Sequence, residues 1–407
     1  MIIKFKVKNF YSIKEEQELS FDITKKDHKD DSSFLSDRGY YLNNTIAILG
    51  HNASGKTNVL KALSFCLWFI HKSYSEIPDA KAPIMGVVPH KLSDSKASCF
   101  EIIFENNKRE FQYKIEMTRE GVVYEFLGEK IQRGYSTIYE LKRNKKVDIF
   151  EHFKLSPMTQ NDKERFALRK NISLFSFLQS TGHLPKIGLD EIIKYTSNIG
   201  SLGKYVLDQT EMFFIFRKAI DNNTPIVNKI IQFIRKIDIG INGIVNKDVY
   251  KTFVNRLNPN DMRREKEILF LHSNGKKEFE LDFFNESNGT QRILVLLEKV
   301  FRIIDSGGFL ISDEIESSIH PIVVREIINL FSDKTLNKKN AQILFSTHIP
   351  LLLDDRNKTQ IYLVEKNEDL ATEIYRLDEV EGVRNDDNFC NKYLMWAYGA
   401  VGNIRRI

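Results

Sequence analysis

Cysteine is scarce in this chain. Cys66, Cys99 and Cys390 are far apart among 407 residues and form no C-x-x-C pair. Neither a thiolate zinc site nor a disulfide framework is indicated, and a reducing cytoplasm is the expected compartment. No stretch approaches the ~18 apolar residues of a membrane span. The first residues alternate lysine with apolar side chains where a signal peptide would carry an apolar block. Neither sign of charge dominates: 60 Lys and Arg against 55 Asp and Glu leave a net +5, too diffuse to specify a nucleic-acid partner. Internal repeats, low-complexity tracts and sustained heptads are also missing, which excludes a repeat array and a long coiled-coil arm.

What is present begins at residues 48 to 63, ILGHNASGKTNVLKAL. Gly50 to Thr57 matches G-x-x-x-x-G-K-[ST], a loop whose backbone N–H groups wrap phosphates while the lysine reaches the β/γ oxygens and the hydroxyl ligates Mg²⁺. The context fits, because Thr45 to Leu49 reads as a β-strand ending at Gly50 and the residues from Asn58 to Ile70 carry helical apolar spacing. Gly50, Asn52, Ala53, Ser54, Gly55, Lys56, Thr57 and Asn58 are therefore the candidate nucleotide contacts, with ATP and Mg²⁺ as the expected ligands.

A phosphate loop alone hydrolyses poorly, since it needs a second acid for the metal and a group to orient water. The run Phe309-Leu310-Ile311-Ser312-Asp313-Glu314 is a short apolar strand delivering two carboxylates. Adjacent residues at a strand end diverge, so Asp313 can face the metal while Glu314 serves as general base. Gln342 to Thr347 is a second apolar strand, and it ends at His348, a candidate γ-phosphate sensor or a structural histidine. Asn285-Glu286-Ser287-Asn288-Gly289-Thr290-Gln291-Arg292 precedes an amphipathic helix. Ser287 and Gly289 could form a second anion site at its N-terminus, or Ser287 could simply cap it.

Residues 1–24 read as a two-strand ribbon, with Phe10 and Tyr11 at its tip as core or as an adenine platform. Residues 98–152 read as a β meander, in which Lys142 to Lys146 is a hairpin turn or a DNA contact. From Lys163 to about Ile239 the spacing turns helical, strands return at 268–271 and 279–281 after the turn Ser273-Asn274-Gly275, and the rest alternates strand and helix. The expectation is an α/β chain with an N-terminal ATPase half over 1–160, an inserted helical lobe over 161–265 and a C-terminal half over 266–407.

The four segments G-H-N-A-S-G-K-T, E-S-N-G-T-Q-R, F-L-I-S-D-E-I-E-S-S-I-H-P and F-S-T-H, in that order from Gly50 to His348, resemble the ABC/SMC class of ATPases. More narrowly the chain is similar to the short AAA-labelled ABC-type ATPases of bacterial antiphage and abortive-infection systems, the group containing RloA, AbiL and the PARIS ATPase. The opening Phe5-x-Val7-x-Asn9-Phe10-x-Ser12, the strand Tyr362 to Lys366 and the closing Tyr393-Leu394 and Tyr398-Gly399-Ala400 share that likeness. The resemblance implies an ABC-type P-loop fold with an antiparallel β subdomain, and a homodimer or higher homo-oligomer that sandwiches ATP. Ser287 and Gly289 of one copy would complete the site around Lys56 of the other. It places Gln291 and Arg292 behind the signature segment or on the solvated surface, and Glu316 and His320-Pro321 in the following loop, where a structural role suits His320.

Two departures stand out: the signature reads Ser-Asn-Gly, and the family's Q-loop glutamine has no counterpart except the region of Pro89-His90-Lys91. About 60 residues follow His348, fewer than the ~100 of a Toprim nuclease domain. No Arg is followed by His at the spacing of HEPN or anticodon nucleases. The expectation is an ATP-gated scaffold that controls a separate effector, a Toprim or RloB-like nuclease, in response to a phage product; the alternative is a RecF/SMC-like repair ATPase clamping duplex DNA.

Overall fold

The computed structural model describes residues 1–28, 32–143, 148–151, 159–184, 189, 192–200, 203–222, 224–237, 240–255, 258–273 and 275–400. Contacts divide the chain into two compact units, Met1–Tyr205 with Ile303–Ile315 and Ile328–Ile407, and Val206–Arg302 with Glu316–Ile327.

Two large sheets build most of the first unit. One has seven strands, ordered Asp148–Glu151, Tyr135–Arg143, Gly121–Lys130, Arg109–Thr118, Ser98–Asn106, Ile2–Lys8 and Gln17–Ser20, every pair antiparallel. The lysine alternation of the first strand exposes one face and buries Phe5 and Val7 on the other. The expected ribbon is thus the edge of a larger sheet, since Ile2–Lys8 also pairs with Ser98–Asn106. Phe10 is core, stacked 5.8 Å from Phe65 and edge-on to Phe100, while the Tyr11 ring receives the Lys61 ammonium at 3.7 Å.

The other sheet has six strands, ordered Tyr195–Ser197, Phe309–Ser312, Gln342–Ser346, Thr45–Leu49, Ile361–Lys366 and Thr372–Arg376. The first five run parallel and the last is antiparallel. Three of its inner strands, at 45–49, 309–312 and 342–346, are mostly apolar and buried along their whole length, as a sheet covered on both faces requires. The helix Lys56–Glu76 contributes Leu63, Phe65, Phe69 and Ile70 to one core with Phe5, Phe100 and Ile102 of the antiparallel sheet and Ile46, Ile48, Ile311 and Leu344 of the parallel one. The architecture is α/β, with an antiparallel β subdomain beside a P-loop sheet.

The inserted lobe differs from its expectation of one helical segment over 161–265. Helices Gln160–Ala167 and Leu174–Ser180 belong to the first unit, because Phe166, Phe175 and Phe177 enter its core and Phe177 meets Tyr74 edge-on at 5.2 Å. The short strands Tyr195–Ser197, Ile199–Gly200 and Gly203–Lys204 follow. The second unit opens with helices Gln209–Asn222 and Thr224–Ile237 and continues as a three-stranded antiparallel sheet, Ile241–Asn255, Asn258–Ser273 and Glu278–Asp282. The strand Ile241–Asn255, which the sequence reading left out, pairs antiparallel with its long partner Asn258–Ser273. Of the Lys142 to Lys146 cluster, Lys142 and Arg143 end the strand Tyr135–Arg143, and 144–147 lie outside the described residues, as does Asn274 of the turn before Gly275.

Candidate nucleotide site

The strand Thr45–Leu49 lies between Gln342–Ser346 and Ile361–Lys366, so its end opens where the carboxyl ends of parallel strands converge, the place such sheets bind ligands. The loop that follows is tightly specified. A Cβ on Gly50 would lie 2.2 Å from the Val364 carbonyl oxygen. Gly55 has φ 115°, and a Cβ there would lie 2.1 Å from Thr372 Oγ1. Ala53 also takes positive φ, at 63°. The Lys56 ammonium, on a residue only 6% exposed, donates to the carbonyls of Gly50 at 2.8 Å and His51 at 3.0 Å, curling the loop around itself. Ser12, Thr372 and Asn58 support the far side: Ser12 and Thr372 hydroxyls are 2.7 Å apart, Asn58 Nδ2 donates to Ser12 Oγ at 2.7 Å, and Thr372 Oγ1 donates to the Ser54 carbonyl at 2.9 Å.

The acidic strand end meets this loop directly. Thr57 Oγ1 donates to Asp313 Oδ2 at 3.0 Å, and Ser346 Oγ donates to Asp313 Oδ1 at 2.6 Å while accepting from the Glu314 N–H at 2.8 Å. Asn198, just past the end of Tyr195–Ser197, accepts from the Asp313 N–H at 2.7 Å and donates to its carbonyl at 2.9 Å. Glu314 has φ 45°, which turns its carboxylate away from that of Asp313. Its Oε2 accepts from Lys204 Nζ at 2.7 Å, and its Oε1 lies 3.8 Å from His348 Nε2. The Lys204 hydrogen bond foremost, then the charges of Lys204, His348 and Lys56, hold this carboxyl below its ordinary range against the opposing effect of burial.

Ser12, Asn52, Ala53, Gly55, Lys56, Thr57, Asn58, Asp313, Glu314, His348 and Lys366 together line a cleft of about 430 Å³. The chemistry of this set suits a nucleotide phosphate and a hard cation. Ser54 Oγ is buried at the loop without a hydrogen-bond partner, the first-turn N–H groups of Lys56–Glu76 have no intrahelical acceptors, and the Thr57 hydroxyl with the Asp313 carboxylate makes an all-oxygen pair. Lys366, which burial pushes below its usual range, adds a second ammonium and donates to Thr372 Oγ1 at 3.0 Å.

In the second unit, Ser287 caps the helix Asn288–Ser306, accepting from the Thr290 N–H at 3.1 Å, and Gly289 occupies its first turn. Gln291 is fully buried and braces the preceding turn by donating to the carbonyls of Phe283 and Glu286 at 2.8 and 3.1 Å. Arg292 stays on the helix surface, bonded to Asn288 Oδ1 at 3.1 Å. His320 accepts the first N–H bonds of the helix Pro321–Asn329, a structural duty.

A family model described as "AAA domain, putative AbiEii toxin, Type IV TA system" matches residues 46–354. The chain belongs to this family. It is an AAA-domain protein of the AbiEii type. Among curated proteins it is similar to the "Retron Vc95 probable ATPase" of Vibrio cholerae serotype O1 biovar El Tor, 22% identical over 382 residues that cover 79% of this chain and 69% of the relative. Solved structures with similarity include the SMC head domain from Thermotoga maritima, at 16% identity over 92% of this chain and 98% of that one with a TM-score of 0.40. An SMC head bound to the C-winged helix domain of ScpA aligns at 15% identity over 92% and 97% of the two chains, with a TM-score of 0.44.

In this AAA-family chain the structure gathers Asn52, Ala53, Gly55, Lys56, Thr57, Asn58, Asp313, Glu314 and His348 in one cleft, with Gly50 and Ser54 beneath it. Pro89-His90-Lys91 does not line it: the His90 N–H donates to Asn9 Oδ1 at 2.9 Å and burial pushes the imidazole below its ordinary range. The amide that reaches the acidic strand is that of Asn198, which sequence reading missed. Ser346, Lys204, Lys366 and Thr372 were missed as well. For Asn198 the available signal was the apolar-to-polar run Ile192 to Asn198 ahead of Ile199-Gly200, a strand end like the other two.

Proposed function

We propose that the chain binds Mg·ATP in the Lys56 cleft and hydrolyses it. The observation that carries this reading is the hydrogen-bonded relay Thr57, Asp313, Ser346, Glu314, which joins the phosphate loop to an acidic strand more than 250 residues later. Lys56 and the loop N–H groups hold the β and γ phosphates, with Ser54 Oγ as a further donor. Thr57 and Asp313 would hold Mg²⁺, whose bound charge offsets that of the phosphates. Glu314 orients a water and accepts its proton, and His348, beside Glu314, donates to the γ-phosphate.

Two copies close over two nucleotides in this reading, with Ser287 and Gly289 of each facing the γ-phosphate held by Lys56 of the other. The assembly acts as sensor and scaffold of an antiphage system, and the ATP state controls a separate effector of nuclease type. Membership in an abortive-infection family and similarity to a protein named as a retron ATPase support the defence role.

The test compares the wild type, Lys56→Ala and Glu314→Gln in ATP binding, turnover and size-exclusion chromatography. Lys56→Ala should lose nucleotide binding; Glu314→Gln should bind ATP, turn over at least a hundredfold more slowly and accumulate as a dimer. Equal turnover by Glu314→Gln and wild type would overturn the assignment. Capture of Glu314→Gln from its host with ATP, after nucleic acid is digested, should recover a stoichiometric nuclease-like protein; material that disappears on digestion would point to a DNA clamp.

A further inference from the structure

Three neighbouring parallel strands end around the nucleotide cleft in the order Gln342–Ser346, Thr45–Leu49 and Ile361–Lys366, and the phosphate loop follows the middle one. The acidic pair and the histidine lie to one side of it. Asp313 and Glu314 follow Phe309–Ser312, and His348 comes just after Gln342–Ser346. Lys366 ends the strand on the other side and lines the same cleft.

The first turn of the helix Lys56–Glu76 repeats this division. Thr57 Oγ1 donates to Asp313 at 3.0 Å, while Asn58, turned about 100° from it around the helix axis, donates to Ser12 Oγ at 2.7 Å. Ser12 Oγ lies 2.7 Å from Thr372 Oγ1, which accepts from Lys366 Nζ at 3.0 Å. A nucleotide with its β-phosphate in the loop and its γ-phosphate toward Glu314 and His348 therefore sends its α-phosphate and ribose toward Ser12, Asn58 and Lys366.

Lys366 is suited to meet an anion there. An ammonium has three N–H donors, and this one uses one of them on Thr372. Among the described residues it forms no ion pair, and burial lowers its pKa with no carboxylate acting in the other direction. Lys14, whose charge reaches the same His90 imidazole as that of Lys366, is by contrast paired with Asp369 at 2.8 Å. A partly buried cation without a counter-ion is unfavourable, and a bound phosphate would remove that penalty.

We propose that Lys366 is the α-phosphate ligand of the cleft: its two remaining N–H groups bind the phosphate nearest the ribose, while Thr372 holds the ammonium in place. This inference rests on the reading of the Lys56 cleft as a nucleotide site. It adds to that site a cation for the one phosphate that ATP keeps in its products, so Lys366 serves ADP and ATP alike.

The experiment is isothermal titration of the full-length protein with Mg·ADP and with the magnesium complex of a non-hydrolysable ATP analogue. Lys366→Met keeps the aliphatic stem and removes the ammonium; Lys366→Gln removes the charge but keeps a donor for Thr372. Both variants should bind both nucleotides about tenfold or more weakly, by a common factor, as loss of a hydrogen bond to a charged group does. Wild-type affinity in both variants overturns the proposal. Wild-type affinity in Lys366→Gln alone overturns it too, since the lysine then only supports Thr372. A loss confined to the triphosphate analogue does the same, because it puts Lys366 at the γ-phosphate. The two α-thio diastereomers of ADP give a readout that a merely structural role would not move: the ratio of their affinities should differ by about threefold or more between wild type and Lys366→Met, and an unchanged ratio removes the contact. Lys56→Ala separates the two failures. If it loses nucleotide while the Lys366 variants bind like wild type, the α-phosphate role alone fails; if it binds like wild type, the cleft reading fails and this inference with it.

Discussion

Asn198 holds Asp313 by both of its backbone groups, accepting from its N–H at 2.7 Å and donating to its carbonyl at 2.9 Å. This is the sort of pairing a neighbouring strand would make, here supplied by a side chain where Tyr195–Ser197 has ended. It fixes the backbone from which both carboxylates project.

Asn198→Ala removes these bonds and leaves an N–H and a carbonyl of the buried Asp313 without partners, at about 1–3 kcal/mol each. The expected outcome is a kcat lowered by roughly 10- to 100-fold with ATP affinity changed much less, because Lys56 and the loop remain. Turnover and equilibrium binding measured on the same preparation check it.

Gly55→Ala combines a φ of 115° with a Cβ placed 2.1 Å from Thr372 Oγ1. The loop cannot keep its path, and ATP affinity should fall by more than about tenfold, since strain of this kind costs on the order of 1–3 kcal/mol. Thr372→Ser leaves the clashing oxygen in place and should not rescue it. Isothermal titration with a non-hydrolysable ATP analogue distinguishes these outcomes.

Glu125 is fully buried, and its Oε1 accepts from Tyr113, Tyr139 and Ser173 hydroxyls and the Phe175 N–H while its Oε2 accepts from the Leu174 N–H. Burial raises its carboxyl above the ordinary range, and these donors pull it back. Glu125→Ala strands all of them, so urea unfolding should show a loss of roughly 3 kcal/mol or more, with Glu125→Gln losing less.

His71 packs edge-on to Phe175, its Nε2 is buried without a partner, and burial pushes its pKa down to about 4. The unfolded chain titrates near 6.5 and so binds the extra proton between these values. The stability this residue supports is complete above about pH 6.5 and is lost as the pH falls toward 4, at up to about 1.4 kcal/mol per pH unit. Between pH 7 and pH 5 the wild type should lose roughly 2 kcal/mol more than His71→Gln in urea unfolding.

The phosphate loop, the acidic pair and the histidine strand were legible in sequence because each is a contiguous apolar run ending in its functional residue. A parallel strand buried on both faces leaves that mark, and residues 45–49, 309–312 and 342–346 all carry it. The seven-stranded sheet was legible through alternation. What stayed hidden depends on pairing across the chain. Asn198 follows a strand of three residues and Lys204 ends one of two, with no periodicity to read, and their partners Asp313 and Glu314 lie more than 100 positions away. Phe166, Phe175 and Phe177 had helical spacing, but nothing in that spacing says which core they enter.

The strand Thr45–Leu49 finds neither of its sheet partners nearby in sequence: one begins at Gln342 and the other at Ile361. On the ribosome, at about 5–20 residues per second, some 15 to 60 seconds separate the emergence of the phosphate loop from that of the strands that flank it. Through that interval the strand, with four apolar residues after Thr45, has both edges open, the condition in which strands pair with the wrong chain. The cleft around Lys56 is incomplete until the last of the parallel strands has been made. Synthesis itself thus withholds a complete cleft from unfinished chains, at the cost of a long exposure in which a chaperone has something to hold.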